Sequence, residues 1–357
     1  MARLLCIDQT VESSEEAIPD GLIRDHLLGH VVALAPLDAV TTEVCVSFPL
    51  DLLGRTAGET LHLLFGTSSL KPGIRLVDLD VPAAAPVPWQ GPRFGRDGLR
   101  RLVNVPARPL ACAVLKPLGR SPKELAALAY AFARGGVDCV KDDQGLMDQP
   151  FSPLADRIAA CADAVARANR ETGRRCLYVA HLGCSLDDMV LKARLAKARG
   201  AGGLLLCPGL IGYDTIQRLA ADPSVGLPLF SHPALLGTYA LHPTQGIAPA
   251  MLYGVLPRLF GADVTIYPTW GPEFGMTKTA CAEIALATGS TRLRVAATFP
   301  TAAGRIDEHQ IADACALYGR DVLFILGSRI QADPSGIQQA CRRFMDRLEA
   351  VGERHPD

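Results

Sequence analysis

Eight short apolar segments recur at regular intervals along the chain, and this repetition constrains the fold more than any other feature. Each is a nearly continuous apolar run, which is typical of a parallel strand buried on both faces. Helical patterns separate them, so the chain reads as eight strand–helix units. The eight segments are residues 108–117, 136–143, 176–183, 202–209, 227–234, 262–269, 294–300 and 321–327.

Eight such units are the number in a (β/α)₈ TIM barrel, whose usual length is about 250 residues. A doubly wound open sheet is the alternative. No G-x-G-x-x-G motif follows the first strand, and the even spacing of the units favours a closed barrel.

Several of the intervening helices have legible starts. Ser121 is the expected N-cap of one helix, with Pro122 in its first position and Glu124 three residues after the cap. The Ser-Pro pair at 152–153 repeats this opening, and Ser185 is the expected cap of the following helix.

Residues 1–90 have a different sequence pattern, with strand-like segments and no strand–helix repeat. A proline-rich stretch at 81–92 reads as a linker. We therefore expect a small N-terminal α+β domain of the ferredoxin-like kind over residues 1–90. The barrel domain that carries the active site is expected over residues 91–357.

Composition excludes several classes of function. Lysine plus arginine number 36 against 37 aspartate plus glutamate, so no domain-wide basic field is available for nucleic acid or anionic lipid. No apolar run approaches the ~18–20 residues of a membrane span. The 11 cysteines form no C-x-x-C pair, which favours reduced thiols and a cytoplasmic location.

Polar side chains follow most of the predicted strands. The carboxyl ends of the strands carry the active site in barrels of this kind. We therefore expect Lys116, Lys141, Asp143, Gln144 and His232 to line one mouth. Other residues at these strand ends are Asp142, His181, Cys207 and Tyr267, and small-residue turns follow the last two strands at 300–304 and 327–328.

The second strand ends in Lys141-Asp142-Asp143-Gln144, a cluster whose side chains alternate between two faces. Lys141 and Asp143 should point the same way and Asp142 the other way. Asp143 and Gln144 can offer oxygen atoms to Mg²⁺, which prefers oxygen ligands. The ammonium of Lys141 would repel that ion, unless the lysine carries a carbamate and becomes an oxygen donor itself.

Two linked motifs resemble the RuBisCO superfamily: KP-x-G-x-S-P-x-E-L at 116–125 and GG-x-D-x-x-KDD at 135–143. The segment 91–102 resembles the lead into that family's barrel, and SHPALLGTY at 231–239 resembles a motif of its RuBisCO-like proteins (form IV). The resemblance implies a homodimer in which the small domain of one subunit caps the barrel of the other.

The resemblance also implies roles for individual residues. Lys141 would be carbamylated and would hold Mg²⁺ together with Asp143 and the next residue, while Lys116 would transfer a proton. That next residue is Gln144, whereas the family has a glutamate, so the ion would be held more weakly. The loop 269–276 lacks the lysine that holds CO₂ in true carboxylases, and we therefore expect no carboxylase activity.

Substrate contacts are expected from His232 and from the turns after the last two strands. Gly304, Gly327 and Ser328 belong to these turns, whose backbone N–H groups can bind a phosphate.

Three functions follow from the sequence. The favoured one is Mg²⁺-dependent enolisation, isomerisation or decarboxylation of a phosphorylated keto sugar or keto sugar acid, by an enzyme of the lyase or isomerase class. In the second, Lys116 or Lys141 forms a Schiff base without metal, as an aldolase or decarboxylase does. In the third, the protein binds a sugar phosphate and catalyses nothing.

Overall fold

The computed structural model describes residues 1–82, 85–271, 273–304 and 306–354. The chain divides into two compact units. One consists of Met1–Pro88 with His242–Ala248, and the other begins at Trp89 and contains the rest. Among the described residues, no helix combines the length and the apolar character that crossing a bilayer requires.

The smaller unit contains both helices and strands. Its elements are α1 (Ala2–Thr10), β1 (His30–Pro36), β2 (Thr42–Ser47), α2 (Ala57–Phe65) and β3 (Arg75–Leu76). The strands form two separate sheets rather than one: β1 and β2 make an antiparallel ribbon, and β3 pairs in parallel with residues 246–247. This pairing brings the segment 242–248 into the smaller unit.

The larger unit is a closed barrel of eight parallel strands, which confirms the predicted fold. Strands β4 to β12 are, in chain order, β4 (Leu110–Leu115), β5 (Cys139–Asp142), β6 (Leu177–His181), β7 (Gly203–Leu206), β8 (Leu229–Ser231), β9 (Gly246–Ile247), β10 (Val264–Thr265), β11 (Phe299–Ala302) and β12 (Leu323–Leu326). All of them except β9, which is the partner of β3, form the barrel. Strand β11 lies at the end of the predicted segment 294–300 and extends beyond it.

Helices α3 to α14 belong to the same unit. They are α3 (Gly95–Val103), α4 (Pro122–Arg134), α5 (Leu154–Thr172), α6 (Met189–Ala198), α7 (Pro208–Ile211), α8 (Tyr213–Ala221), α9 (Gly237–Ala240), α10 (Leu256–Leu259), α11 (Lys278–Gly289), α12 (Ile311–Tyr318), α13 (Ser328–Gln331) and α14 (Ile337–Arg354).

One predicted helix start is confirmed and two are wrong. Helix α4 begins with the capping box of Ser121 and Glu124, each side chain accepting the other's backbone N–H. Helix α5 has Pro153 at its N-cap, without a capping side chain, so Ser152 lies one residue too early. Helix α6 begins only at Met189, because the Ser185 hydroxyl bonds the Asp188 carboxylate instead of a helical N–H.

Apolar side chains of alternate residues fill the barrel interior. They come from every barrel strand or from the residue next to it, so the barrel is a packed core and not a pore. This cluster includes Leu110, Cys112, Val114, Cys139, Val179, Leu205, Phe230, Val264, Ile266, Phe299, Ala303, Leu323 and Ile325.

Candidate active site at the barrel mouth

The end of β5 divides its side chains between two faces, as predicted. Cys139 belongs to the interior cluster, so Lys141 and Asp143 project to the same side two and four residues later. Asp142 faces the surrounding helices and bonds Arg157 of α5, with 3.0 Å between Oδ2 and Nε. The inward set therefore faces the mouth, and the outward residue joins the scaffold.

Lys116 and Asp143 meet at the mouth because their strands are neighbours in register. Leu115 of β4 lies opposite Asp142 of β5, which places Lys116 beside Asp143. Lys116 Nζ is 3.3 Å from Asp143 Oδ2, and the two side chains are 40% and 14% exposed. Both groups are thus held together and open to a ligand.

Lys141 precedes Asp143 by two residues on the same face of the strand and is almost completely buried, with 2% exposure. Its Nζ donates a hydrogen bond to the Asp142 carbonyl oxygen at 3.0 Å. Burial lowers the pKa of Lys141 from its ordinary value, and the charge of Lys116 adds to this while Asp143 opposes it. A lowered pKa enlarges the fraction of neutral amine, which is the nucleophilic form.

His232 follows β8 and is held by backbone bonds. Its N–H donates to the Leu206 carbonyl at 2.8 Å, and its Nδ1 accepts the Ala234 N–H at 3.2 Å. Burial lowers the pKa of His232 well below its usual value, and the nearby positive charges of Lys141 and Lys116 add to this. The ring is therefore neutral with its hydrogen on Nε2, where it can donate to a substrate oxygen.

His181 and Cys207 form a buried pair at the ends of β6 and β7. His181 Nδ1 lies 3.0 Å from the Leu146 carbonyl oxygen and 3.3 Å from the Gly183 backbone nitrogen, so the backbone holds the ring at this atom. Its Nε2 lies 3.6 Å from Cys207 Sγ. Burial raises the pKa of Cys207 to about 12, so the thiol stays protonated and is no reactive thiolate.

The two turns expected to bind phosphate lie next to each other. They follow β11 and β12, which pair in the barrel with Ala302 opposite Phe324. Gly304 has φ +105°, a conformation that other residues rarely adopt. Nothing lies within 4 Å of the place where a side chain at Gly327 would begin, and Ser328 opens α13 directly after it. A phosphate role for these residues stays a prediction.

The residues expected to hold Mg²⁺ fit that ion only in one chemical form. Asp143 offers a carboxylate and Gln144 an amide oxygen, but Lys141 as an ammonium would repel the ion. No group of three His, Cys, Asp or Glu side chains able to hold a metal occurs within the described part of the chain. A carbamate on Lys141 would give three oxygen donors, the set that Mg²⁺ favours.

Two further residues, Arg157 and Tyr178, bond to the carboxylate of Asp142, and sequence reasoning missed both. A signal for Arg157 exists. It occupies the buried stripe of α5 together with Leu154, Ile158 and Cys161, where an arginine requires a buried acceptor.

Comparison with known proteins places this chain in one family. The family model of the ribulose bisphosphate carboxylase large chain, catalytic domain, matches residues 96–273. The ribulose bisphosphate carboxylase-like protein 1 of Rhodopseudomonas palustris is 36% identical over 352 residues, covering 99% of this chain and 94% of that protein. The chain therefore belongs to the RuBisCO large-chain family, as its motifs suggested.

Other relatives carry names of enzymes. The 5-methylthioribulose-1-phosphate isomerase of Rhodospirillum rubrum is 33% identical, covering 92% of this chain and 86% of that protein. The 2,3-diketo-5-methylthiopentyl-1-phosphate enolase of Exiguobacterium sibiricum is 32% identical, covering 86% and 78%. A Rubisco-like protein from Rhodopseudomonas palustris has a crystal structure that matches with a TM-score of 0.87 and 33% identity, covering 99% of this chain and 94% of that one.

Proposed function

We propose that this protein is a RuBisCO-like enzyme that enolises a phosphorylated keto sugar or keto sugar acid, with isomerisation, enolisation or decarboxylation as the outcome. The observation that carries the proposal is the contact of Lys116 with Asp143, which follows the buried Lys141 by two residues on the same face of the strand. The names of the isomerase and enolase relatives support the same reaction class.

Each residue at the mouth has its own role in the proposed reaction. Lys116 moves the proton at the carbon next to the substrate carbonyl. The Nε2–H of His232 donates to a substrate oxygen on which negative charge develops. The turns at Gly304, Gly327 and Ser328 receive the phosphate through backbone N–H groups.

Mg²⁺ would be held by a carbamate on Lys141 together with Asp143 and Gln144. When bound, it would polarise the substrate carbonyl and stabilise the developing oxyanion. We expect weak binding, because Gln144 contributes a dipole where a glutamate would contribute a charge.

A test of the reaction uses phosphorylated ketoses and branched sugar acids in D₂O, with and without Mg²⁺ and bicarbonate. We expect NMR to show exchange of the hydrogen next to the carbonyl, faster with Mg²⁺, and no carboxylated product. Binding of a sugar phosphate by calorimetry without any exchange would instead identify a non-catalytic relative.

The lowered pKa of Lys141 also supports a second candidate, metal-free Schiff-base chemistry, because a neutral buried amine can attack a ketone. Borohydride trapping separates the two candidates. A covalent adduct on Lys141 or Lys116 that forms equally well in a chelator would favour Schiff-base chemistry over enolisation.

We also propose that the protein forms a homodimer. Every residue of β1 is exposed, including the apolar Val32 (63% exposed) and Leu34 (58%), and Val40 (94%) is exposed in the turn that leads to β2. Two strands alone are marginally stable in water, and exposed apolar patches mark interaction sites. Light scattering should give the mass of a dimer at micromolar concentration, and a monomer there would refute this.

A further inference from the structure

The carboxylate of Asp142 is fully buried between the two functional positions of β5 and is saturated with donors. Oδ2 accepts from Arg157 Nε at 3.0 Å and from the His181 backbone N–H at 3.0 Å. Oδ1 accepts from the Tyr178 hydroxyl at 2.8 Å. Three donors thus fix the rotation of one side chain whose neighbours on both sides face the site.

Arg157 connects this carboxylate to the segments around it. Its Nη1 donates to the Ser152 carbonyl at 3.0 Å, and its Nη2 donates to the His181 carbonyl at 3.1 Å and approaches the Leu146 carbonyl at 3.4 Å. One buried guanidinium therefore ties together the end of β6, the loop after β5 and the start of α5.

Stability alone does not account for a charge pair at this place. A buried ion pair loses hydration, and apolar residues of similar volume are often as stable. The preceding outward residue of β5, Val140, is buried and apolar and fills the same face. The pair instead fixes orientation. Its hydrogen bonds hold the backbone at Asp142, and this sets the direction in which the Lys141 and Asp143 side chains point.

We propose that Arg157 and Tyr178 are positioning residues, which act through Asp142 to hold Lys141 and Asp143 in their orientation at the mouth. This inference rests on the proposed function, because it assigns the two residues to the same reaction. Misplacing a reacting group by about 1 Å can cost about 100-fold in rate, so a change in this network should appear mainly in kcat.

The same strand offers a matched control at its other end. Asp138, the residue before β5, makes a two-pronged ion pair with Arg108, with both N–O distances 2.8 Å. Asp138 also accepts the Ala111 backbone N–H at 2.9 Å. Both are Asp–Arg pairs at the ends of β5, the Asp142 pair fully buried and the Asp138 pair nearly so, but only the Asp142 pair adjoins the proposed catalytic residues.

The experiment compares Arg157→Lys, Tyr178→Phe and Arg108→Lys in the full chain, measuring Tm, KM and kcat corrected for folded fraction. We expect Arg157→Lys to lower kcat by about 10- to 100-fold with little change in KM, and Tyr178→Phe by a smaller factor of about 3–10. Arg108→Lys should lower Tm while kcat stays within about twofold of wild type. Equal kcat in Arg157→Lys and Arg108→Lys would overturn the inference.

Crystal structures of the three variants decide the question even without turnover. We expect the amine of Lys141 and the carboxylate of Asp143 to shift in Arg157→Lys and Tyr178→Phe but to stay in place in Arg108→Lys. If wild type enolises no substrate, the proposed function fails, and unmoved Lys141 and Asp143 side chains would separately overturn the positioning role. Should Arg157→Lys not fold, Tyr178→Phe, which removes one hydroxyl, carries both measurements.

Discussion

The two ends of the barrel handle charge differently. At the amino ends of the strands, charged groups have full sets of partners. Arg100 bonds Asp321 at 2.7 Å, and Arg108 bonds Asp138 with both of its outer nitrogens. Asp263 accepts three backbone N–H groups, from Phe94, Gly95 and Leu229.

At the carboxyl ends the outward Asp142 also has a full set of partners, but the inward side chains have fewer. Two amines, Lys116 and Lys141, face the single inward carboxylate of Asp143. The Gln144 side chain makes no hydrogen bond to any described residue. Satisfied charges support the fold, and unsatisfied charges of one sign attract an anionic ligand. The contrast supports the proposed site at the carboxyl ends of the strands.

Removing an amine from the mouth should have the largest effect. Lys116→Met deletes the proposed proton carrier, and general acid–base groups contribute about 10²–10⁴-fold to rate. We expect kcat to fall by about 1,000-fold with Tm nearly unchanged. Lys123→Met, on the exposed face of α4, is the control and should retain full activity. A loss below tenfold for Lys116→Met would remove Lys116 from the proposed reaction.

Breaking the Arg108–Asp138 ion pair at the amino ends of the strands should lower stability and leave the rate unchanged. Arg108→Met leaves the Asp138 carboxylate buried without its cation, which costs about 3–5 kcal/mol in the free energy of unfolding. Chemical denaturation measures this loss. The folded fraction should keep its kcat, and a selective loss of kcat would show that the amino end of the barrel also serves the reaction.

Asp263 should make stability depend on pH at the amino end. Burial raises its pKa to about 6, against about 3.9 in the unfolded chain. The folded state then binds the proton more tightly than the unfolded chain, so protonation of Asp263 stabilises the fold. This contribution to the free energy of unfolding is complete below about pH 4 and is lost as pH rises through about 6. Relative to Asp263→Asn, the unfolding free energy of wild type should fall by about 2–3 kcal/mol between pH 4 and 7. A difference that is flat over this range would contradict the prediction.

The smallest expected effect concerns the metal. Gln144→Glu adds a negative charge beside Asp143 and should tighten Mg²⁺ binding by about tenfold or more, which is about 1.4 kcal/mol. Isothermal calorimetry in bicarbonate buffer measures this, with Gln339→Glu on the exposed side of α14 as control. Equal affinity in wild type and Gln144→Glu would mean that Gln144 is not a ligand, and would favour metal-free lysine chemistry.

Much of the barrel was readable because a parallel strand buried on both faces leaves an uninterrupted apolar run. The same regularity placed Lys116 and Asp143 at one mouth. Helix starts were less certain, as Ser185 shows, because a serine hydroxyl can bond a nearby carboxylate as readily as a helical N–H. Pairing of residues 246–247 with β3 depends on contacts between distant segments, which local patterns do not encode.

The network around Asp142 was missed for a related reason. Alternation predicts that Asp142 points away from Lys141 and Asp143, and the structure confirms this. Alternation does not predict which hydrogen-bond donors lie on that side. The partners come from a helix and the next strand, and their arrival at one carboxylate is a property of the packed structure.

The alternation within β5 also limits how this segment can change over evolution. Cys139, Lys141 and Asp143 belong to the inward set, and Val140 and Asp142 to the outward set. A single-residue insertion or deletion in this strand would exchange the two sets, turning the amine into the helix layer and the Arg157 partner into the mouth. A substitution in this segment leaves every other residue on its own face, whereas a change in its length does not.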